Sequence, residues 1–217
     1  MRLSSERSFG NVATVASRDP ERKRAQLVEA ALVEFAIRGF SGTTVDAIAS
    51  RAGCSTGLIY THFGSKEGLF HAVLDAIAEH ATQELPITPE DLPGYAVRLY
   101  DANLARPEVL RFVAWYQLER EQLGRRDEDG TTRAMREKIT AVQSAQKRGS
   151  LPEHFDAGEL VLTVQTIALM WLTSTSEVAN AITSPEDQER RRRVIVDAVT
   201  RLLSGQPAAP DVSARED

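Results

Sequence analysis

Few side chains in this 217-residue chain are suited to covalent chemistry, and their spacing points to binding. The four histidines are His62, His71, His80 and His154; His71 and His80 are nine apart, which puts no ligand pair on one helix face. No metal site is expected. No glycine-rich phosphate loop and no nucleophile elbow occurs, so neither an enzyme nor a cofactor is expected. Cys54, the one cysteine, excludes an internal disulfide and suits a reducing compartment. Its alternatives are a small packed side chain in a turn or a redox switch. By contrast, hydroxyls, an imidazole and an ammonium crowd between Thr43 and Lys66. These groups hold a partner by hydrogen bonds and charge.

The elements that must position them are short. Thr43 is expected to cap a first helix, with Asp46 reaching back. Val45, Ile48 and Ala49 then form one apolar stripe, and Gly53 ends the helix in the left-handed conformation. Ser55 caps a second helix running to about Phe63. Ile59 and Phe63 point inward on it, and Thr56, Tyr60 and Thr61 are left outside. Gly64 and Ser65 separate it from a third, with Glu67 in the first turn. Two helices joined by a glycine-containing turn make a helix-turn-helix pattern, whose second helix enters a DNA major groove. An ordinary pair of packed helices has the same pattern.

Particular residues go further. Gly39-Phe40, Thr43-Thr44-Val45, Ile48-Ala49, Ala52-Gly53, Ser55, Tyr60-Thr61-His62-Phe63, Ser65-Lys66-Glu67 and Leu69 resemble the DNA-binding domain of the tetracycline-repressor (TetR) family of bacterial regulators. The likeness spans about fifty residues at fixed spacing, which a lone motif does not offer. It implies that Tyr60, His62, Lys66 and the Thr43/Thr44 cap hold phosphates, while Ser55, Thr56, Gly57, Leu58 and Thr61 face base edges. Leu58 either meets a thymine methyl or packs beside Ile59 in the core. The resemblance further implies a repressor: a homodimer through its last two long helices, bound to a palindromic operator and released by an unknown small-molecule effector. A bundle that only dimerises, without an effector, is the alternative. A nonspecific architectural DNA binder would have a basic body, and this chain carries a net charge of −5. Residues 1–70 hold nine Lys/Arg against seven Asp/Glu, which leaves the acidity to the rest.

The expected fold is all-α: an N-terminal three-helix helix-turn-helix domain and a C-terminal helical bundle for dimerisation and ligand binding. Residues 1–18 read as a disordered arm, 19–84 as the DNA-binding domain, 85–205 as the effector and dimer domain, and 206–217 as a flexible tail. Asp19-Pro20-Glu21 signals the first helix start, and Arg22-Lys23-Arg24 either meets the DNA backbone or forms a solvated turn. Pro86, Pro89 and Pro93 mark the domain boundary, and Pro107 opens a new helix after one that ends before it. Asp156 and Glu159 make a capping-box pair before an apolar helix to about Val178. In the last helix Arg191 is expected to meet the apolar side. Tyr95, Tyr100, Phe112, Trp115, Tyr116, Gln165 and Trp171 are candidates for a ligand pocket, with core packing as the alternative for each aromatic. No secretory signal and no membrane span is visible, so the cytoplasm is the expected location.

Overall fold

The computed structural model of the protein describes residues 13–119, 121, 123, 130–184 and 187–205. These residues form ten α-helices and no strand. They divide into two compact units: residues 1–76 with 111–125, and residues 77–110 with 126–217. The boundary is therefore not the expected one near residue 84. It falls inside a helix, and a later helix returns to the first unit.

The first unit is built on α1 (Ala13–Arg38), α2 (Val45–Ala52), α3 (Thr56–Phe63), the start of α4 (Lys66–Gln83) and most of α6 (Pro107–Glu119). Leu27, Ala31 and Phe35 of α1, Ile48 of α2, Ile59 of α3 and Leu69 and Phe70 of α4 are all buried at or below 1% exposure. Phe70 is the hub. Its ring lies 5.0 Å from Phe35, 5.5 Å from Phe40 and 4.6 Å from Phe112, centroid to centroid. Edge-to-face and tilted pairs of this kind add to the area they bury. α1 starts earlier than Asp19 signals, at Ala13, so Pro20 lies inside it. Proline fits helical φ but removes one backbone donor and crowds the carbonyl four residues earlier, so its place inside α1 is costly. Residues 13–18 are thus helix, and the rest of the expected arm lies outside the described residues, as do 206–217.

The second unit contains α5 (Leu92–Ala105), α7 (Gly130–Lys147), α8 (Ala157–Thr173), α9 (Ser176–Ile182) and α10 (Gln188–Leu203), with a 3-10 turn at Pro89–Asp91. α8 is the centre: α5, α7 and α10 all pack on it, and Leu160, Val161, Val164 and Ala168 are fully buried. Local signals set most ends. Asp91 accepts from the Gly94 amide at 2.9 Å to cap α5, which stops at Ala105 before Pro107. Asp156 and Glu159 form both halves of the capping box that starts α8. Asp187 accepts from the Arg190 amide to start α10.

α8 does not reach Val178. It stops at Thr173, and Thr175 caps a separate short helix, α9, by accepting from the Val178 amide. The two helices meet at 98°. Hydrophobic continuity hides such a break, because a serine–threonine pair that caps also fits a helix interior. Among the described residues no single helix is long and apolar enough to cross a membrane.

Since α6 closes the core of the first unit, its loss should be felt there. Phe112→Ala removes a fully buried ring and should cost about 3–5 kcal/mol in denaturant unfolding, like other Phe-to-Ala changes in cores. A fragment ending near residue 85 should accordingly lack a cooperative unfolding transition.

Candidate DNA-binding face

α2 and α3 are placed by contacts to α1 and to the turn that follows it. Gln26 on α1 donates to the Ala52 carbonyl at the end of α2 at 3.0 Å. Gly53 ends α2 with φ 61°, and its amide reaches back to Ala49 and Ser50. Glu34 is 4% exposed, yet it holds Arg51 of α2 at 2.6 Å and also pairs with Arg38 one turn along α1. A buried carboxylate met by two guanidinium groups keeps α2 aligned to α1.

The α1–α2 turn is held by opposite charges. Phe40 and Ser41 amides donate to the Glu119 carboxylate of α6 at 2.6 and 3.1 Å. The Lys66 ammonium donates to the Phe40 and Thr43 carbonyls, each at 3.0 Å, and lies 4.2 Å from the centre of the Phe40 ring. Gly39 is obligatory beside them. Its φ is +70°, and a Cβ there would lie 2.7 Å from the Trp115 ring and 2.8 Å from Glu119 Oε2. Burial pushes the Glu119 carboxyl up, but the Ser41 hydroxyl, the Phe40 and Ser41 amides and the Lys66 charge outweigh this. They hold it below the ordinary carboxylate range.

One expected DNA contact, Thr43, is corrected by this arrangement. Thr43 is 1% exposed, and its hydroxyl donates to the Gly39 carbonyl at 2.6 Å. The residue that caps α2 is Thr44, whose Oγ1 accepts from the Ala47 amide at 3.2 Å. Moving the cap by one residue places Ala47, not Asp46, where a capping-box acid would stand. Lys66 is half-buried, and its ammonium donates to two backbone carbonyls and so also shapes the turn. Arg38, Arg51 and Glu119 were not expected. Of these, the sequence signals only Arg38, through its spacing of four from Glu34.

The remaining candidates lie together on one short helix and its cap. Ser55, Gly57, Tyr60 and Thr61 are exposed, Tyr60 at 52%, while Thr56, Leu58 and His62 are half-buried. Ser55 makes no side-chain cap bond, and the Thr61 hydroxyl donates to the Gly57 carbonyl at 2.9 Å. Its lone pairs stay open to donors. A Cβ added at Gly57 would meet only Ser55 Oγ at 3.9 Å, so the protein itself does not require glycine there. Behind this face Ile59 is fully buried, and Arg24 of α1 stacks 5.3 Å from the Phe63 ring.

Four of the seven ligand-pocket candidates lie in the second unit. Tyr95 and Tyr100 are buried in the helical core; Gln165 donates to the Tyr95 hydroxyl at 3.1 Å, and Tyr100 donates to Gln188. Burial pushes the Tyr95 phenol up. Trp171 is half-buried near the end of α8. Phe112, Trp115 and Tyr116 are a correction: α6 carries them into the first unit, where Phe112 and Tyr116 pack on Phe70 and Trp115 covers Gly39.

A three-helix head whose third helix, α3, carries an exposed polar face, followed by an α-helical unit, has the form of a helix-turn-helix regulator, and comparison with known proteins agrees. Residues 27–73 match the family described as bacterial regulatory proteins, tetR family, and residues 91–201 match the tetracyclin repressor-like C-terminal domain. This chain belongs to the TetR family of transcriptional regulators, not to an enzyme family. It is 33% identical over 154 residues to the HTH-type transcriptional repressor SCO4008 of Streptomyces coelicolor, covering 71% of this chain and 80% of that one. It is 30% identical over 131 residues to the regulator BetI of Burkholderia thailandensis, covering 56% and 67%. The solved structure of transcriptional regulator SCO4942 from Streptomyces coelicolor matches 83% of this chain and 97% of its own, with a TM-score of 0.72 and 31% identity.

Two measurements separate shape from binding here. Gly57→Ala should raise unfolding stability by up to about 1 kcal/mol, the ordinary helix preference for alanine. The same change should weaken DNA binding, because the methyl group protrudes from the open face. For Glu119, the folded carboxyl titrates below its unfolded value, so its stabilisation is present above the unfolded range and is lost as pH falls through the folded value. Glu119→Gln should therefore cost about 1.5–3 kcal/mol near neutral pH, the usual worth of charge-assisted hydrogen bonds, with the gap to wild type closing in acid. Denaturant titrations across pH measure it.

Proposed function

We propose that the protein is a repressor that binds a palindromic operator as a homodimer and is released by a small-molecule effector. The observation carrying this is the outward face of α3, where Ser55, Gly57, Tyr60 and Thr61 are exposed on a helix whose opposite side is sealed by Ile59. Tyr60 and His62, with the Thr44 end of α2, engage phosphates. Ser55, Thr56, Gly57, Leu58 and Thr61 approach base edges. Leu58, half-buried, divides its surface between the core and the groove.

The homodimer forms through the last two long helices, α8 and α10. Leu162 on α8 is 61% exposed, and Val194 and Val196 on α10 are 37% and 36% exposed, apolar surface of the kind that a partner covers. The effector enters the second unit among Tyr95, Tyr100, Gln165 and Trp171, and shifts the protein toward a state whose reading heads fit the operator less well. The repressor name of the Streptomyces coelicolor relative supports the sign. Its place of action is the cytoplasm, where its DNA is.

Selection of bound genomic fragments by the purified full chain, near physiological salt, tests the reading. The expected result is a palindrome with half-site centres roughly 34–36 Å apart, or a multiple of that spacing. Affinity should fall steeply with added salt as counterions are released. Enrichment of a single unpaired half-site would remove the dimer, and no enrichment over random DNA would remove the operator.

A further inference from the structure

Four charged side chains among the described residues are buried: Glu34, Glu119, Lys138 and Arg191. Three have partners of fitting chemistry. Glu34 meets two arginines, Glu119 meets two amides, and Lys138 donates to the Ala81 carbonyl at 2.7 Å. Arg191 is different. It is 6% exposed, and its Nε–H is buried without an acceptor. Its contact is the Trp171 ring, whose centre lies 5.4 Å from the guanidinium carbon. Arg191 Nε and Trp171 Nε1 are both sealed from solvent without an acceptor.

A buried cation without a counter-charge is costly, and each unmet donor adds to the cost. The neighbouring charge does not help: Arg192 is held by Asp101 at 2.9 Å and by Glu189 at 2.8 Å. A second copy of the chain is also badly placed to supply the anion. Arg191 shares the inner stripe of α10 with Ile195 and Val199, both fully buried, whereas Val194 and Val196 carry the exposed apolar surface. An acceptor for Arg191 Nε–H therefore has to reach the inner side of α10.

We infer that the effector is an organic anion, a carboxylate with an apolar body, bound by Arg191 and Trp171; this rests on the ligand-released reading above. One carboxylate oxygen accepts from Arg191 Nε–H and the other from Trp171 Nε1–H. Ile167, Met170 and Leu172, partly buried apolar neighbours of Trp171 along α8, would meet the apolar body. Entry requires an opening near the end of α8. Trp171 stands two residues before α8 ends, and α9 beyond it buries only Ala179. Ligand uptake is thereby tied to movement at a helix junction.

The test uses the full chain carrying Trp115→Phe, so that emission reports Trp171. The probes are carboxylates from acetate to decanoate, with phenylacetate, and the matching uncharged amides. At least one carboxylate should change the emission saturably and raise Tm, with its amide weaker by about tenfold or more. Arg191→Met should abolish that response while leaving the probe-free Tm unchanged or higher, because an unpaired buried charge has been removed. A clear fall in the probe-free Tm would make Arg191 a structural staple and overturn the inference, as would equal binding of acid and amide or no response to any acid. Operator release by an uncharged compound, retained in Arg191→Met, would discard the anion and keep the ligand-released reading. Binding of an acid through Arg191 with no release of operator would keep the site and discard that reading.

Discussion

A short run of backbone, Phe40 to Thr43, is gripped between a carboxylate and an ammonium, and the reading head depends on that grip. Glu119 takes the amides and Lys66 the carbonyls, so the turn's polar groups are satisfied by side chains where no helix or sheet can serve them. The turn decides where α2 begins, α2 decides through Gly53 where α3 begins, and α3 presents the exposed polar face. The charges also come from different places. Lys66 opens α4, while Glu119 closes α6, which arrives from much later in the chain.

This explains why the local plan of the head was legible in the sequence and its support was not. Caps, glycines and apolar spacing act within a few residues, so the limits of α3, the capping box at Asp156 and the break at Pro107 could be read directly. Thr43 and Thr44 are chemically alike, and only the burial of Thr43 against Glu34 and Gly39 separates the packed hydroxyl from the capping one. Periodicity likewise said that Phe112 faces inward, without saying into which core. Two candidate cores existed, and the aromatic partners Phe35 and Phe70 that claim it lie far away in sequence. The buried place of Arg191 was readable, because four successive arginines must cover most of a helix circumference.

Charge is handled differently in the two units. The head is nearly neutral, and its buried acids are each met at close range, so its outer face need not be strongly basic to approach phosphate. The rest of the chain is acidic overall, yet it encloses a cation against an indole. Aromatic contact attracts a guanidinium but accepts none of its hydrogen bonds, so it offsets only part of the desolvation.

The Glu119 contact also sets the phase of α6. Two adjacent amides diverge little, and one carboxylate can satisfy both at a single rotation of the helix that bears it. Turning α6 by one residue swings the side chain through about 100° and loses both bonds together. The connection is thus a stepwise one, closer to a key in its slot than to a spring. Both bonds therefore depend on the one rotation of α6 that brings Glu119 to the Phe40 turn.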